Sequence, residues 1–161
     1  MGTRGLFGFY YKGQFYLSYN HWDSYPNGLG LNVLNQILSA DLDTWKFLIT
    51  QLKVVDESKP PTPEEITQSL KYTNLAISTQ STRDWYCLLD HCQGSLSRVL
   101  QAGYIINYVD GQGKPDFQEY AYVVNFDTNQ FDFYSRQTLK KSVDLKVDQL
   151  KALYVEWGGS I

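Results

Sequence analysis

The chain has 161 residues, of which 43% are hydrophobic and 19% charged, so it is long enough and apolar enough for one folded domain spanning 1–161 and is too apolar for disorder. A net charge of −3 argues against a broad nucleic-acid or anionic-membrane footprint. Two cysteines, Cys87 and Cys92, are too few for a disulfide scaffold and fit a reduced, cytoplasmic protein.

The chain opens without the basic start and long apolar run of a signal peptide, and no segment approaches the ~20 apolar residues of a membrane span. Gly2 invites comparison with a myristoylation signal, but Leu6 stands where that signal needs Ser or Thr. Leu6 to Tyr11 and Gln14 to Tyr19 are β-prone runs about Lys12-Gly13, which predicts a hairpin. Gly5 and Gly8 within the first run mark a close backbone approach or a bulge.

The next dozen residues, Tyr19 to Gly30, concentrate an imidazole, a carboxylate, amides, hydroxyls and aromatic rings. Pro26-Asn27-Gly28 signals a turn within them. Leu31, Leu34, Ile37 and Leu38 then form a helical stripe, and Asp41 to Val55 predicts a second helix through Trp45, Leu48, Ile49 and Leu52. Thr62-Pro63-Glu64-Glu65 reads as a capping box opening a short helix. After a polar loop over 78–82, a helix from about Arg83 carries Trp85, Leu88, Leu89 and Cys92 on one face. Ser95 to Ala102 resumes as a helix that Gly103 ends.

Three strands follow in the pattern: Tyr104 to Val109, Glu119 to Phe126 and Gln130 to Tyr134, with Asp127-Thr128-Asn129 as a turn. The last segment reads two ways, since Val143, Leu145 and Val147 alternate like a strand while Leu150, Leu153 and Tyr154 fall at helical spacing. Two hairpin regions about a helical middle predict an α+β fold. Its antiparallel sheet has about five strands, and the helices gather on one face.

Three segments together, Met1-Gly2-Thr3-Arg4-Gly5, YNHWDSYPNGLG over 19–30, and Asp84-Trp85-Tyr86 with Gln93-Gly94 and the stretch from Glu119 to Asp127, resemble a widespread family of uncharacterised proteins. Members begin MGTRG and carry an HWDSYP-type motif followed by GLG, in fungi, bacteria and viruses. The resemblance spans nearly the whole chain and implies one intact domain; it brings no activity with it.

The chemistry of the central stretch suggests a site. Strand alternation would put His21 and Asp23 on one side and Asn20 and Trp22 on the other, so Asp23 could orient and tune His21 for acid–base work of a hydrolase kind. The bland reading is a structural loop capped by Asp23 or Ser24. Gly28 and Gly30, opening a helix, could offer backbone amides to an anion, with Arg4 adding a fork and Trp22 or Tyr25 stacking on it. A plain turn-and-cap competes with that reading. Asn20 and Ser24 of the same stretch are candidate binding residues too, and Tyr86, Gln93 and Glu119 are further candidate lining residues, taken from the co-occurring motifs. Cys87 and His91, four apart, share too few ligands with His21 for structural zinc, so no metal and no cofactor are expected.

The expectation is a domain that binds a polar, anionic small molecule of nucleotide-like or sugar-phosphate-like type at the HWDSYP loop, with hydrolase activity as an extension. The alternative is a protein–protein or homo-oligomeric module using the tyrosine-rich surface, since 13 Tyr, 8 Phe and 4 Trp suit an interface equally well.

Overall fold

The structure, a computed structural model, describes residues 3–116 and 118–160. Met1 and Gly2, the start of the MGTRG stretch, lie outside the described residues.

The hairpin forms as the sequence predicts. Strand β1 (Gly5–Tyr11) pairs antiparallel with β2 (Gln14–Asn20). Lys12 and Gly13 both take positive φ, 50° and 75°, the two-residue turn whose twist matches that of its strands. A long helical excursion follows. Helices α1 (Leu31–Ser39) and α2 (Leu42–Gln51) run into a short strand β3 (Lys53–Val54). Helix α3 (Pro63–Ser69) opens on the predicted capping box, with Thr62 and Glu65 bonding each other's backbone N–H groups. Helix α4 (Trp85–Leu88) is capped by Asp84, whose carboxylate accepts from the Tyr86 N–H. Helix α5 (Leu96–Ala102) is capped by Ser95 and ends at Gly103 in the left-handed region, φ 78°.

The chain then returns through β4 (Tyr104–Ile105), β5 (Tyr120–Asn125), β6 (Gln130–Ser135), β7 (Thr138–Asp144) and α6 (Val147–Glu156). The main sheet has five strands in the order β2-β1-β5-β6-β7. It is mixed: β5 runs parallel to β1, with Gly5 beside Tyr120, and every other pairing is antiparallel. The parallel contact arises because the helical middle carries the chain back to the starting end of β1 before β5 begins.

Two boundaries move. The second helix stops at Gln51 rather than Val55, because the Lys53 N–H bonds Gly103 O and the Val55 N–H bonds Ile105 O, drawing the chain into a two-strand parallel sheet with β4. The strand expected over Tyr104 to Val109 holds only to Ile105. Beyond it the chain docks on the free edge of β2, where Asn107 Oδ1 accepts from the Leu17 N–H and Nδ2 donates to Phe15 O. A side-chain amide thus covers an exposed strand edge. The ambiguous last segment is both things in turn, strand β7 and then helix α6.

Helices cover one face of the sheet. Phe7, Phe9, Tyr122, Val124, Phe131 and Phe133 point into a core closed by Val33, Leu34, Ile37, Leu88, Leu96, Leu150 and Leu153. Leu6, Leu17, Ala121 and Val123 form a smaller apolar cluster on the other face, beneath Tyr19 and Tyr108.

Candidate functional site

The central stretch leaves β2 at Asn20 and is locked from below. Asn20 is buried, and its Nδ2 donates to Trp22 O at 2.6 Å and to Ser24 Oγ at 2.9 Å. Ser24 is fully buried against β1, where a methyl group on Gly5 would stand 2.8 Å from its Cβ. The Tyr122 hydroxyl reaches up from the core and donates to Ser24 O at 2.7 Å. Burial pushes the Tyr122 phenol well above its ordinary range, so it stays a protonated donor. Asn20 and Ser24, expected among the binding residues, are therefore bonded within the loop as its internal frame.

Asp23 sits in the left-handed region, φ 56°, which breaks the strand alternation expected of this stretch. The His21–Asp23 pair is not assembled. His21 Nδ1 shares a hydrogen bond of 2.7 Å with the Tyr19 hydroxyl, and no hydrogen bond or ion pair joins the imidazole to the exposed Asp23 carboxylate. Tyr19, not Asp23, orients the ring and leaves Nε2 as its open nitrogen. Burial raises the Tyr19 phenol, offset in part by Arg4.

The anion cradle expected at Gly28 and Gly30 is likewise not open. Pro26–Gly30 forms a single π-helical turn in which the N–H groups of Gly28 and Gly30 both bond Tyr25 O, at 2.9 and 3.2 Å, and the Leu29 N–H bonds Asp23 O. Gly30 is buried against Tyr122 and Trp157. The glycines serve close packing and the turn, not ligand approach.

What the loop does present is its other side. His21 and Trp22 face a cleft of about 590 Å³, whose opposite wall comes from α4, the 3₁₀ turn Asp90–Cys92 that follows it, and the loop over 74–78. Gln93 joins the walls. Its Oε1 accepts the His21 N–H at 2.9 Å, while its Nε2 donates to the Tyr86 hydroxyl at 3.1 Å and to Asp90 Oδ1 at 3.4 Å. Asp90 Oδ2 accepts from Asn74 Nδ2 at 3.0 Å. Trp22 stands edge-on to His21, ring centres 4.6 Å apart, with 64% of its surface exposed. Behind Tyr86 and Gln93 lies a further space of about 40 Å³ walled by apolar side chains such as Leu89, Val99 and Ile105.

Of the candidate residues, the fold brings His21, Trp22, Tyr86 and Gln93 to this cleft, with Asn20 at its base. Arg4 and Glu119 do not line it; they flank the paired Gly5 and Tyr120 at one end of the sheet. Tyr25 is exposed on the far side of the loop, beside Tyr120. Asn74, Ile77, Ser78 and Asp90 line the cleft and escaped the sequence reading. Asp90 had a signal, standing four residues after Tyr86 and three before Gln93, on the same helical side. Asn74 had none, because only tertiary folding brings it there.

Cys87 and His91 diverge, the first fully buried with its thiol donating to Ile77 O, the second exposed. Among the described residues no three His, Cys, Asp or Glu side chains converge to hold a metal ion. Burial pushes the Cys92 thiol up to about 12, which makes it a packing group rather than a nucleophile. No helix among the described residues is long and apolar enough to cross a membrane.

No family model matches the chain, and searches of curated proteins and of solved structures return no match.

Proposed function

We propose that this protein binds a small polar molecule in the cleft between the His21–Trp22 loop and the segment from Tyr86 to Gln93. One observation carries the reading: Gln93 ties His21, Tyr86 and Asp90 into a single pre-bonded polar wall beside an exposed tryptophan. Pre-bonded walls bind well because their side chains lose little freedom when a ligand arrives. The volume lies in the ordinary range for small-molecule sites, on the order of 300–1,000 Å³.

The nucleotide-like or sugar-phosphate-like ligand expected from the glycines loses its main support, since those amides are already bonded within the turn. If hydrolysis takes place here, His21 is the acid–base group, with Tyr19 fixing its ring. The buried free thiols fit a cytoplasmic location. Membership of the MGTRG family is proposed on the same footing. Asn20, Ser24 and Gly30 of the shared motif hold the loop, while His21 and Trp22 are displayed by it.

The test is a thermal-shift screen of amines, amino acids, nucleotides, sugar phosphates and carboxylates against the wild type, Trp22→Ala, Gln93→Ala and Arg4→Ala. The reading expects a hit that weakens in the first two variants and persists in the third. A hit abolished only by Arg4→Ala would place the site elsewhere.

A second reading, as an interaction module, is favoured by the exposure of Trp22 (64%) and Tyr25 (47%) on one loop. Sizing across a concentration series tests it. A dimer lost in the double variant Trp22→Ala, Tyr25→Ala supports this reading, and a monomer at every concentration counts against self-association.

A further inference from the structure

We propose that the cleft is selective for a small organic cation, an alkylammonium or guanidinium group seated between the Asp90 carboxylate and the Trp22 indole. This rests on the ligand-site reading above and names its substrate class.

Asp90 carries the one fixed charge among the side chains that line the cleft. Its two oxygens each accept one amide hydrogen, from Gln93 and from Asn74. A carboxylate oxygen accepts two hydrogen bonds, so one position on each oxygen is left for a ligand donor. A guanidinium carries five N–H donors in a planar fork and an ammonium three, which suits this half-filled acceptor. Trp22 supplies the second half of the recognition. An indole face attracts a cation more strongly than any other side-chain ring, and this one lies largely open to solvent at the cleft wall.

The surroundings agree in sign. Ser78 on the rim donates to Asp84 Oδ2 at 3.2 Å, placing a second carboxylate behind that wall. Glu57 is exposed overall, yet partial desolvation of its carboxyl, and then repulsion from Asp84, push it above the usual carboxylate range, so a third acidic group stands within electrostatic reach of Asp84. Of the cations near this region, Arg98 donates to His91 O, and Arg4 acts on Tyr19 without lining the cleft. A phosphate or carboxylate entering the cleft would meet Asp90 with no Lys or Arg among the lining side chains to offset it.

The test is an NMR titration of ¹⁵N-labelled protein, read at the Trp22 indole N–H and the Gln93 and Asn74 side-chain amides. Three probes share one ethyl group: ethylguanidinium, its neutral isostere N-ethylurea, and ethyl phosphate. The proposal expects saturable shifts with ethylguanidinium, at least about ten-fold weaker binding in Asp90→Asn, and weaker binding in Trp22→Ala, a surface change that leaves the core intact. Equal binding of N-ethylurea and ethylguanidinium overturns charge selection and leaves the site reading standing. Preferential binding of ethyl phosphate overturns it in the same way. No shift with any probe overturns the cation proposal, while the screen described above judges the site reading separately.

Discussion

Replacing Tyr122 with Phe tests how the central loop is held. The substitution removes one hydroxyl and nothing else. The ring keeps its places 5.3 Å from Phe133 and 5.9 Å from Trp157, so no cavity forms. What is lost is the 2.7 Å bond to Ser24 O, and because Ser24 is fully buried, water cannot replace the donor. Orphaning a buried carbonyl costs about 1–3 kcal/mol. For a chain of this length each kcal/mol moves the melting temperature by about 2–4 °C, so the variant should melt roughly 2–12 °C lower. Urea unfolding is the assay, with a lower midpoint and an unchanged slope expected. Hydrogen exchange at the Leu29 and Gly30 amides should speed up, since both close the turn that Tyr122 pins. A variant within ~0.5 kcal/mol of wild type, with exchange unchanged, would refute the claim that the core anchors this loop.

Gly30→Ala should destabilise by about 1–3 kcal/mol in the same assay, because the new methyl would sit 2.9 Å from Trp157 and 3.0 Å from Tyr122; an unchanged midpoint would mean Trp157 yields freely. Burial pushes the Asp84 carboxyl up, but hydrogen bonds from Thr79, the Tyr86 N–H, Ser78 and Cys87 outweigh it and hold it below the usual range. A group whose folded value is depressed adds stability at neutral pH and loses it as pH falls through that folded value. Melting temperature should therefore drop below about pH 4 with a shallower slope in Asp84→Asn, and equal slopes would contradict the assignment. Neither cysteine should react with a thiol reagent in the native state, since both are buried, whereas both should react in urea; rapid native labelling would show that the helical segment opens.

Much of the fold was legible because local signals and tertiary outcome coincide. The Lys12-Gly13 turn, the Thr62–Glu65 box, the Gly103 terminus and the strands from Glu119 onward need only near neighbours to form. The misplaced boundaries have a common cause. Leu52 to Val55 continues a helical stripe, yet pairing with Tyr104–Ile105, distant in sequence, captures the segment. Residues 106–109 alternate like a strand, but Asn107 spends its side chain on the edge of β2. Within the candidate site, the sequence singled out the dozen residues of the loop but not how they are arranged. Alternation fails at the end of β2: Asp23 takes a positive φ, and Trp22 stands exposed beside His21 instead of buried with Asn20; no periodicity reveals a positive φ at a non-glycine position. The glycines looked open because sequence does not show where a backbone N–H finds its acceptor; here Tyr25 O takes two of them.

The central claim is that ligand recognition belongs to the cleft face of the loop. Its most direct test is to take the tightest binder from the thermal-shift screen and map its effect on backbone and side-chain NMR resonances of the wild-type protein. The account predicts shifts at the Trp22 indole, the Gln93 and Asn74 side-chain amides and the Tyr86–Asp90 backbone, with Gly28–Gly30 largely unmoved. Shifts centred on Gly28–Gly30 and Arg4, with Gln93 and Asn74 silent, would contradict it.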